Sequence, residues 1–286
     1  MTNAIDLKKV SKYYPDFKLQ NINFSVPKGA IVGLIGENGA GKTTTIKSIL
    51  NIIKIEGNIT VLGKDHKDKE KEIKQELGVV LDDSFLSEYL TAKAINSIMK
   101  KFYHNWKEDQ YYSYLKKFKI PLHKLIKDFS SGMKMKLKII TAISHQPQIL
   151  ILDEPTSGLD PIVRNEILEM FRTYILEDET RSILISSHIT TDLEQIADYI
   201  VFIHEGKILF DLPTSQLLEN YGIIKCKEQD FHMIEKNDYL HYKKEKYQYE
   251  VLVDNKYEIQ KKYKLKTIDK PTIEEIMLFY VKGEKE

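Results

Sequence analysis

Ala30-Ile31-Val32-Gly33-Leu34-Ile35-Gly36-Glu37-Asn38-Gly39-Ala40-Gly41-Lys42-Thr43 decides how the rest of the chain is read. Residues 30 to 35 form a continuous apolar run broken only by glycine, which suits a strand buried on both faces. Gly36 to Thr43 then fit the pattern G-x-x-x-x-G-K-[ST]. Beyond it, Ile46, Ile49, Leu50 and Ile53 recur at helical spacing, so the order is strand, glycine loop, helix. Glycines in such a loop permit the turns that aim successive N–H groups at one anion, and the following helix offers the same anion its positive end. The pattern predicts that Gly36, Asn38, Gly39, Ala40, Gly41, Lys42, Thr43 and Thr44 cradle the phosphates of ATP. Lys42 is expected to bridge the β- and γ-phosphates, and the Thr43 hydroxyl to ligate Mg²⁺.

Working outward, Ile149 to Leu152 reads as a second buried strand and is closed by Asp153-Glu154. Two carboxylates at the end of a buried strand are costly unless a cation or a proton transfer uses them. Asp153 is therefore expected to hold Mg²⁺ through water, and Glu154 to polarise an attacking water. Ser182 to Ser186 is a third strand, ending at Ser187-His188. Ile5 to Val10 and Asn21 to Val26 read as short strands about a turn at Pro15-Asp16, and Ile200 to His204 and Lys207 to Phe210 flank a hairpin turn at Glu205-Gly206. Apolar strands alternating with helices indicate a mainly parallel α/β sheet.

Between these strands, residues 88 to 140 look mainly helical, and Tyr111, Tyr114, Leu115 and Phe118 make a stripe expected to face the core. Lys64 to Glu76 reads as a solvated surface segment. Beyond Leu212 the texture changes. Tyr247, Tyr249, Val251 and Val253 alternate with mostly polar residues, as in a half-buried strand. Pro271 to Glu275 opens a last helix in which Thr272 and Glu275 are placed for a capping box.

The composition sets outer bounds. A chain of 286 residues suffices for one large domain or two small ones. Lys plus Arg is 43 and Asp plus Glu is 42, a net charge of +1, which gives no global electrostatic case for nucleic acid or an anionic membrane surface. The single cysteine, Cys226, permits no intramolecular disulfide and fits a reducing cytoplasm as a bystander thiol. No run approaches the roughly 20 apolar residues that span a bilayer, so any work at a membrane needs another chain to cross it.

Taken together, these motifs resemble the nucleotide-binding subunits of ABC transporters. The likeness covers residues 5 to 210 closely and the last helix loosely. Phe129-Ser130-Ser131-Gly132-Met133 stands where the family has its signature, with Ser130 and Gly132 retained and Ser131 and Met133 in place of the usual glycine and glutamine. Pro155-Thr156-Ser157-Gly158-Leu159-Asp160 resembles the family's D-loop, and His188 matches its switch histidine, which senses the γ-phosphate. Tyr14 lies where the family stacks an aromatic ring on adenine, with Tyr13 as the neighbouring alternative. Asp82 takes the place of the family's usual glutamine. As an Asp it can ligate Mg²⁺, but it cannot donate a hydrogen bond when ionised, and it also reads as an ordinary loop carboxylate.

The resemblance implies a P-loop NTPase of α/β class: a RecA-like core with a mainly parallel sheet, an antiparallel β subdomain, an inserted helical subdomain near 83–140 and a small α+β C-terminal extension. It divides the chain into an ATPase domain at 1–211 and an accessory subdomain at 212–286. It implies an ATP-hydrolysing subunit with Glu154 and His188 as catalytic residues, ATP and Mg²⁺ as ligands, and Ser130 and Gly132 meeting the γ-phosphate in trans. The partners implied are a separate transmembrane permease and a second ATPase subunit, as homodimer or paralogue heterodimer, with no nucleic acid. The place implied is the cytoplasmic face of the membrane, peripherally attached. Within the family the chain is similar to the bacterial export branch, including ATPases of antibiotic and phenol-soluble modulin exporters. An importer ATPase is the alternative. A non-transport ATPase of the repair type would carry a long coiled coil between Lys42 and Ser130, and no sustained heptads occur there.

Overall fold

The computed structural model describes residues 3–81, 87–265 and 267–285. Strands β1 (Asn3–Tyr13) and β2 (Lys18–Pro27) pair antiparallel. The turn at Pro15-Asp16 closes between them as the Tyr14 N–H donates to the Phe17 carbonyl at 2.8 Å. β3 (Ile31–Ile35) follows with all five residues buried, as its uninterrupted apolar run requires. α1 (Lys42–Ile49) takes up the chain directly from the glycine loop. β4 (Glu56–Val61) and β5 (Lys64–Asp65) complete an antiparallel sheet of order β2-β1-β4-β5. α2 (Glu70–Gln75) then leads into β6 (Leu77–Val80). The charged stretch Lys64 to Glu76 does carry exposed ion pairs of Glu72 with Lys64 and Lys69. It is not solvated throughout, because Ile73 and His66 are buried, the latter with Nδ1 3.0 Å from the Ile59 carbonyl oxygen.

Helices α3 (Ala92–Phe102), α4 (Glu108–Lys117) and α5 (Ser131–Ile143) occupy the inserted segment. The expected stripe faces the core: Tyr111 and Leu115 are fully buried, and Tyr114 and Phe118 pack on the same cluster. Burial of side chains this size stabilises by roughly 1.5–3 kcal/mol each. The Tyr111 hydroxyl finds a partner as well, donating to the Ala92 carbonyl at 2.8 Å and so tying α4 to α3.

The chain re-enters the central sheet as β7 (Ile149–Asp153), α6 (Pro161–Leu176), β8 (Ser182–Ser187), α7 (Thr190–Ile196), β9 (Tyr199–His204) and β10 (Lys207–Pro213). The sheet order is β10-β9-β3-β8-β7-β6, parallel throughout except for the β9–β10 hairpin. This is the α/β P-loop architecture expected from the sequence. The register aligns Ile35 with Ser187, Asp153 with Ser186 and Val80 with Leu152. The carboxyl ends of β3, β8 and β7 therefore lie side by side, the position where open α/β sheets bind ligands.

The remaining chain forms α8 (Thr214–Glu219), β11 (Gly222–Cys226), α9 (Glu228–Phe231), β12 (His241–Lys244), β13 (Tyr249–Val253), α10 (Lys256–Lys262) and α11 (Ile273–Lys282). Its strands make an antiparallel sheet of order β11-β13-β12. The alternation expected from Tyr247 begins two residues late: Tyr247 is exposed and the strand starts at Tyr249. Nor is the strand half-buried. Tyr249, Val251 and Val253 join a local core around Phe231, while Leu252 on the opposite face enters the main core. The capping box of α11 forms as expected, with Thr272 and Glu275 exchanging hydrogen bonds. This helix folds back on α7, its Ile273 N–H donating to Glu194 Oε1 at 2.9 Å, and Ile276 and Phe279 are buried in the main core. Among the described residues, no helix is long and apolar enough to cross a membrane.

Candidate active site

The glycine loop turns on residues that need left-handed backbone: Gly39 and Gly41 hold φ of 83° and 115°. Lys42, at the first position of α1, is bent back into the loop it leaves. Its ammonium donates to the carbonyls of Gly36 at 2.7 Å and Glu37 at 3.1 Å and lies 3.1 Å from Glu154 Oε1. A lysine only 6% exposed needs such partners, since an unpaired buried ammonium is expensive. Thr43 donates its hydroxyl to Asp153 Oδ2 at 2.8 Å. The other carboxylate oxygen of Asp153 accepts from Ser186 Oγ at 2.5 Å, so two hydroxyls hold a carboxylate that is 1% exposed.

Glu154 sits just past the end of β7 with φ of 51°. A non-glycine residue in that region costs about 1–2 kcal/mol, and its neighbours over-determine the conformation. The Glu154 N–H donates to the Ser186 carbonyl at 3.2 Å and to Ser186 Oγ at 3.1 Å. The reversed backbone aims the carboxylate at two partners at once. Oε1 faces Lys42, and Oε2 lies 2.7 Å from His188 Nδ1. Ser186 thus grips both adjacent acids. Sequence reasoning did not single it out, although its place near the end of β8, two residues before His188, was a usable signal.

Lys42, Thr43, Asp153 and Glu154 line a cavity of about 550 Å³, walled further by Asn38, Gly39, Gly41 and Thr44 and by Asp16 and Phe17. Phe17 is a second residue the sequence reading missed. Its ring packs against the loop where Gly41 has no side chain to obstruct it, since a Cβ there would lie 3.0 Å from Phe17 Cζ. Tyr14 and Tyr13 are both exposed and do not line this cavity; Lys12 Nζ lies over the Tyr14 ring at 5.1 Å. Ser130 is exposed and caps α5 by accepting the Met133 N–H at 3.3 Å. Gly132 is buried in the first turn of that helix, where a Cβ would come within 2.8 Å of Val163 on α6. Neither residue borders the cavity. Asp82 lies outside the described residues. A second cavity of about 370 Å³ joins Gly36, Glu37 and His188 to Met277, Leu278 and Val281 of α11, a neighbourhood that nothing in the sequence announced.

The chain resembles known proteins over about three quarters of its length. A family model described as ABC transporter matches residues 19–157. The bacitracin transport ATP-binding protein BcrA of Bacillus licheniformis is 36% identical over 221 residues, covering 76% of this chain and 72% of that protein. The lantibiotic transport ATP-binding protein SrtF of Streptococcus pyogenes is 34% identical over 200 residues, covering 68% of this chain and 83% of its own. A solved structure of the ATP-binding subunit of an ABC transporter matches with a TM-score of 0.68 at 28% identity, over 76% of this chain and 92% of that one.

Proposed function

This chain belongs to the ABC transporter family as an ATP-binding, ATP-hydrolysing subunit, and we propose that it drives the export of a peptide or antibiotic-like substrate. The likeness to bacitracin and lantibiotic transport proteins supports that substrate class. The observation that carries the catalytic reading is the convergence of Lys42 and His188 on the two carboxylate oxygens of Glu154, at the carboxyl ends of neighbouring parallel strands.

In this reading the loop from Gly36 to Thr44 binds the ATP phosphates, and Tyr14, which shares a turn with Phe17, carries the base. The nucleotide's phosphates replace Glu154 as the counter-charge of Lys42. Glu154 Oε1 then loses its ammonium partner and stands ready to accept a proton from the attacking water, while His188 holds Oε2. Thr43 and Asp153 are hard oxygen donors already joined at 2.8 Å, a set that suits Mg²⁺, which takes few protein ligands and keeps waters and phosphate oxygens. They would hold the ion, with Asp82 as a further ligand, and it would neutralise charge on the phosphates.

Ser130 and Gly132 stand apart from the cavity on their own chain, which supports their reaching the nucleotide of a second ATPase subunit. ATP then acts as an adhesive between the two, and hydrolysis releases them. A separate permease crosses the membrane, and this subunit works on its cytoplasmic face. The division into an ATPase domain at 1–211 and an accessory subdomain at 212–286 belongs to the same reading. The test is calorimetry with ATP on the purified chain and on Lys42→Ala: binding by the first and none by the second at micromolar nucleotide is expected, and equal affinity would refute the assignment of the cradle.

A further inference from the structure

We infer that Arg164 and Asp192 are a pair of positioning residues that keep Glu154 and His188 in register. This rests on the roles proposed above for those two. Two segments face one another here: the loop and helix start from Glu154 to Arg164, and the switch segment from His188 to Asp192. They are tied at both ends. At one end His188 Nδ1 meets Glu154 Oε2 at 2.7 Å. At the other, Arg164 Nε lies 3.8 Å from Asp192 Oδ2.

The second tie is made by residues with no other evident task. Arg164 stands in the first turn of α6, its N–H donating to Asp160, the residue that caps the helix. Its side chain turns back, and Nη2 donates to the Leu159 carbonyl at 3.3 Å. One guanidinium therefore spans the loop's far end and Asp192, a double reach that the single ammonium of lysine does not reproduce. Asp192 lies four residues beyond His188, in the first turn of α7, and its side chain is 3% exposed. A carboxylate so deeply buried requires a cation, and among the described residues Arg164 is the one within ion-pair distance.

The loop between Glu154 and Asp160 is thus pinned to the switch segment twice. Its near end hangs on Ser186, through the Glu154 N–H. Its far end hangs on Asp192, through Arg164 and the Leu159 carbonyl. Without the second pin, the loop pivots about Ser186 and the Glu154 carboxylate swings relative to His188. The pair is also slack: Arg164 Nε and Asp192 Oδ2 are both buried without a hydrogen-bond partner. At 3.8 Å the contact is electrostatic, and an approach of under 1 Å would make it a hydrogen bond. Such a joint can tighten when nucleotide draws the loops together.

The experiment compares the full-length protein with Arg164→Ala, Arg164→Lys, and the double variant Arg164→Ala with Asp192→Ala. The double variant removes the uncompensated buried charge that the first leaves behind. We measure kcat and KM for ATP, the ATP Kd by calorimetry, and Tm. A misplaced catalytic group should lower kcat about tenfold or more. That loss is expected in Arg164→Ala and in the double variant, with KM and Kd within about threefold of wild type. Tm should return to near the wild-type value in the double variant, and Arg164→Lys should be intermediate in kcat. A double variant with wild-type kcat overturns the inference, as does a kcat that recovers in step with Tm. Glu154→Gln, run in parallel, separates the two levels: if it retains turnover, the reading of the site fails, whereas its inactivity beside an active double variant sinks only the role of Arg164.

Discussion

Glu154 and His188 meet at 2.7 Å across the ends of two adjacent parallel strands, and the same carboxylate reaches Lys42 with its other oxygen. One side chain therefore joins the phosphate loop to the switch segment. Replacing the carboxylate with an amide keeps its shape and removes its capacity to take a proton. Glu154→Gln is expected to lower kcat by about 10²–10³ while the ATP Kd stays within a few-fold of wild type. Size-exclusion chromatography with ATP should then show a trapped dimer. Near wild-type turnover would remove Glu154 from its proposed role.

Ser186 offers a more discriminating test, because it touches both acids without being able to do chemistry itself. Its hydroxyl donates to Asp153 and accepts from the Glu154 N–H. Ser186→Ala strips one of two hydroxyls from a buried carboxylate and leaves the strained Glu154 backbone held by a carbonyl alone. We expect about tenfold lower kcat and a loss of about 1–3 kcal/mol in urea unfolding. If both quantities are unchanged, Ser186 is a bystander.

How far the sequence reaches is visible in these residues. The glycine loop and Asp153-Glu154 were legible because each is a local pattern: an apolar run, a turn, a polar group at a strand's end, whereas His188 was singled out by the family resemblance. The capping box at Thr272 was a local pattern too. Ser186, Phe17 and the Arg164–Asp192 pair were not, because their meaning depends on which distant segments the sheet and its helices bring together. The Asp153–Ser186 register pairs residues 33 positions apart, and nothing in either strand alone fixes it. Gly132 is a mixed case. Its motif was legible, but its close approach to Val163 on α6 was not. The folding of α11 against α7 was likewise hidden, since an amphipathic helix does not declare which face of another element will cover it.

The base-binding ring divides the two aromatics on the first turn. Tyr14 is exposed beside Lys12, whereas Phe17 already walls the cavity. Stacking a base on an aromatic ring contributes about 1–3 kcal/mol. Tyr14→Ala is expected to raise the ATP Kd by about tenfold, and the conservative Tyr14→Phe to restore it. Phe17→Leu keeps the apolar wall and should shift Kd by no more than about threefold. The reverse ranking in a calorimetric titration would transfer the stacking role to Phe17.

His145 should shape the acid limit of stability from far outside the site. Its ring is buried, stacked on Tyr103 with centroids 3.8 Å apart, and its Nε2 lies 3.1 Å from the Leu77 carbonyl oxygen. Burial pushes the imidazole pKa down to about 4, against an ordinary value of about 6.5. The native state therefore keeps His145 neutral under conditions where the unfolded chain already binds a proton. Its contribution is complete above pH 6.5 and is lost as pH falls towards 4, to a total of about 3 kcal/mol. His145→Phe retains an aromatic ring for Tyr103 and cannot titrate, though it gives up the contact with Leu77. Urea unfolding at pH 7.5, 5.5 and 4.5 should show the variant less stable at pH 7.5 but losing stability less steeply on acidification. Parallel pH profiles for the two proteins would mean that other groups set the acid response.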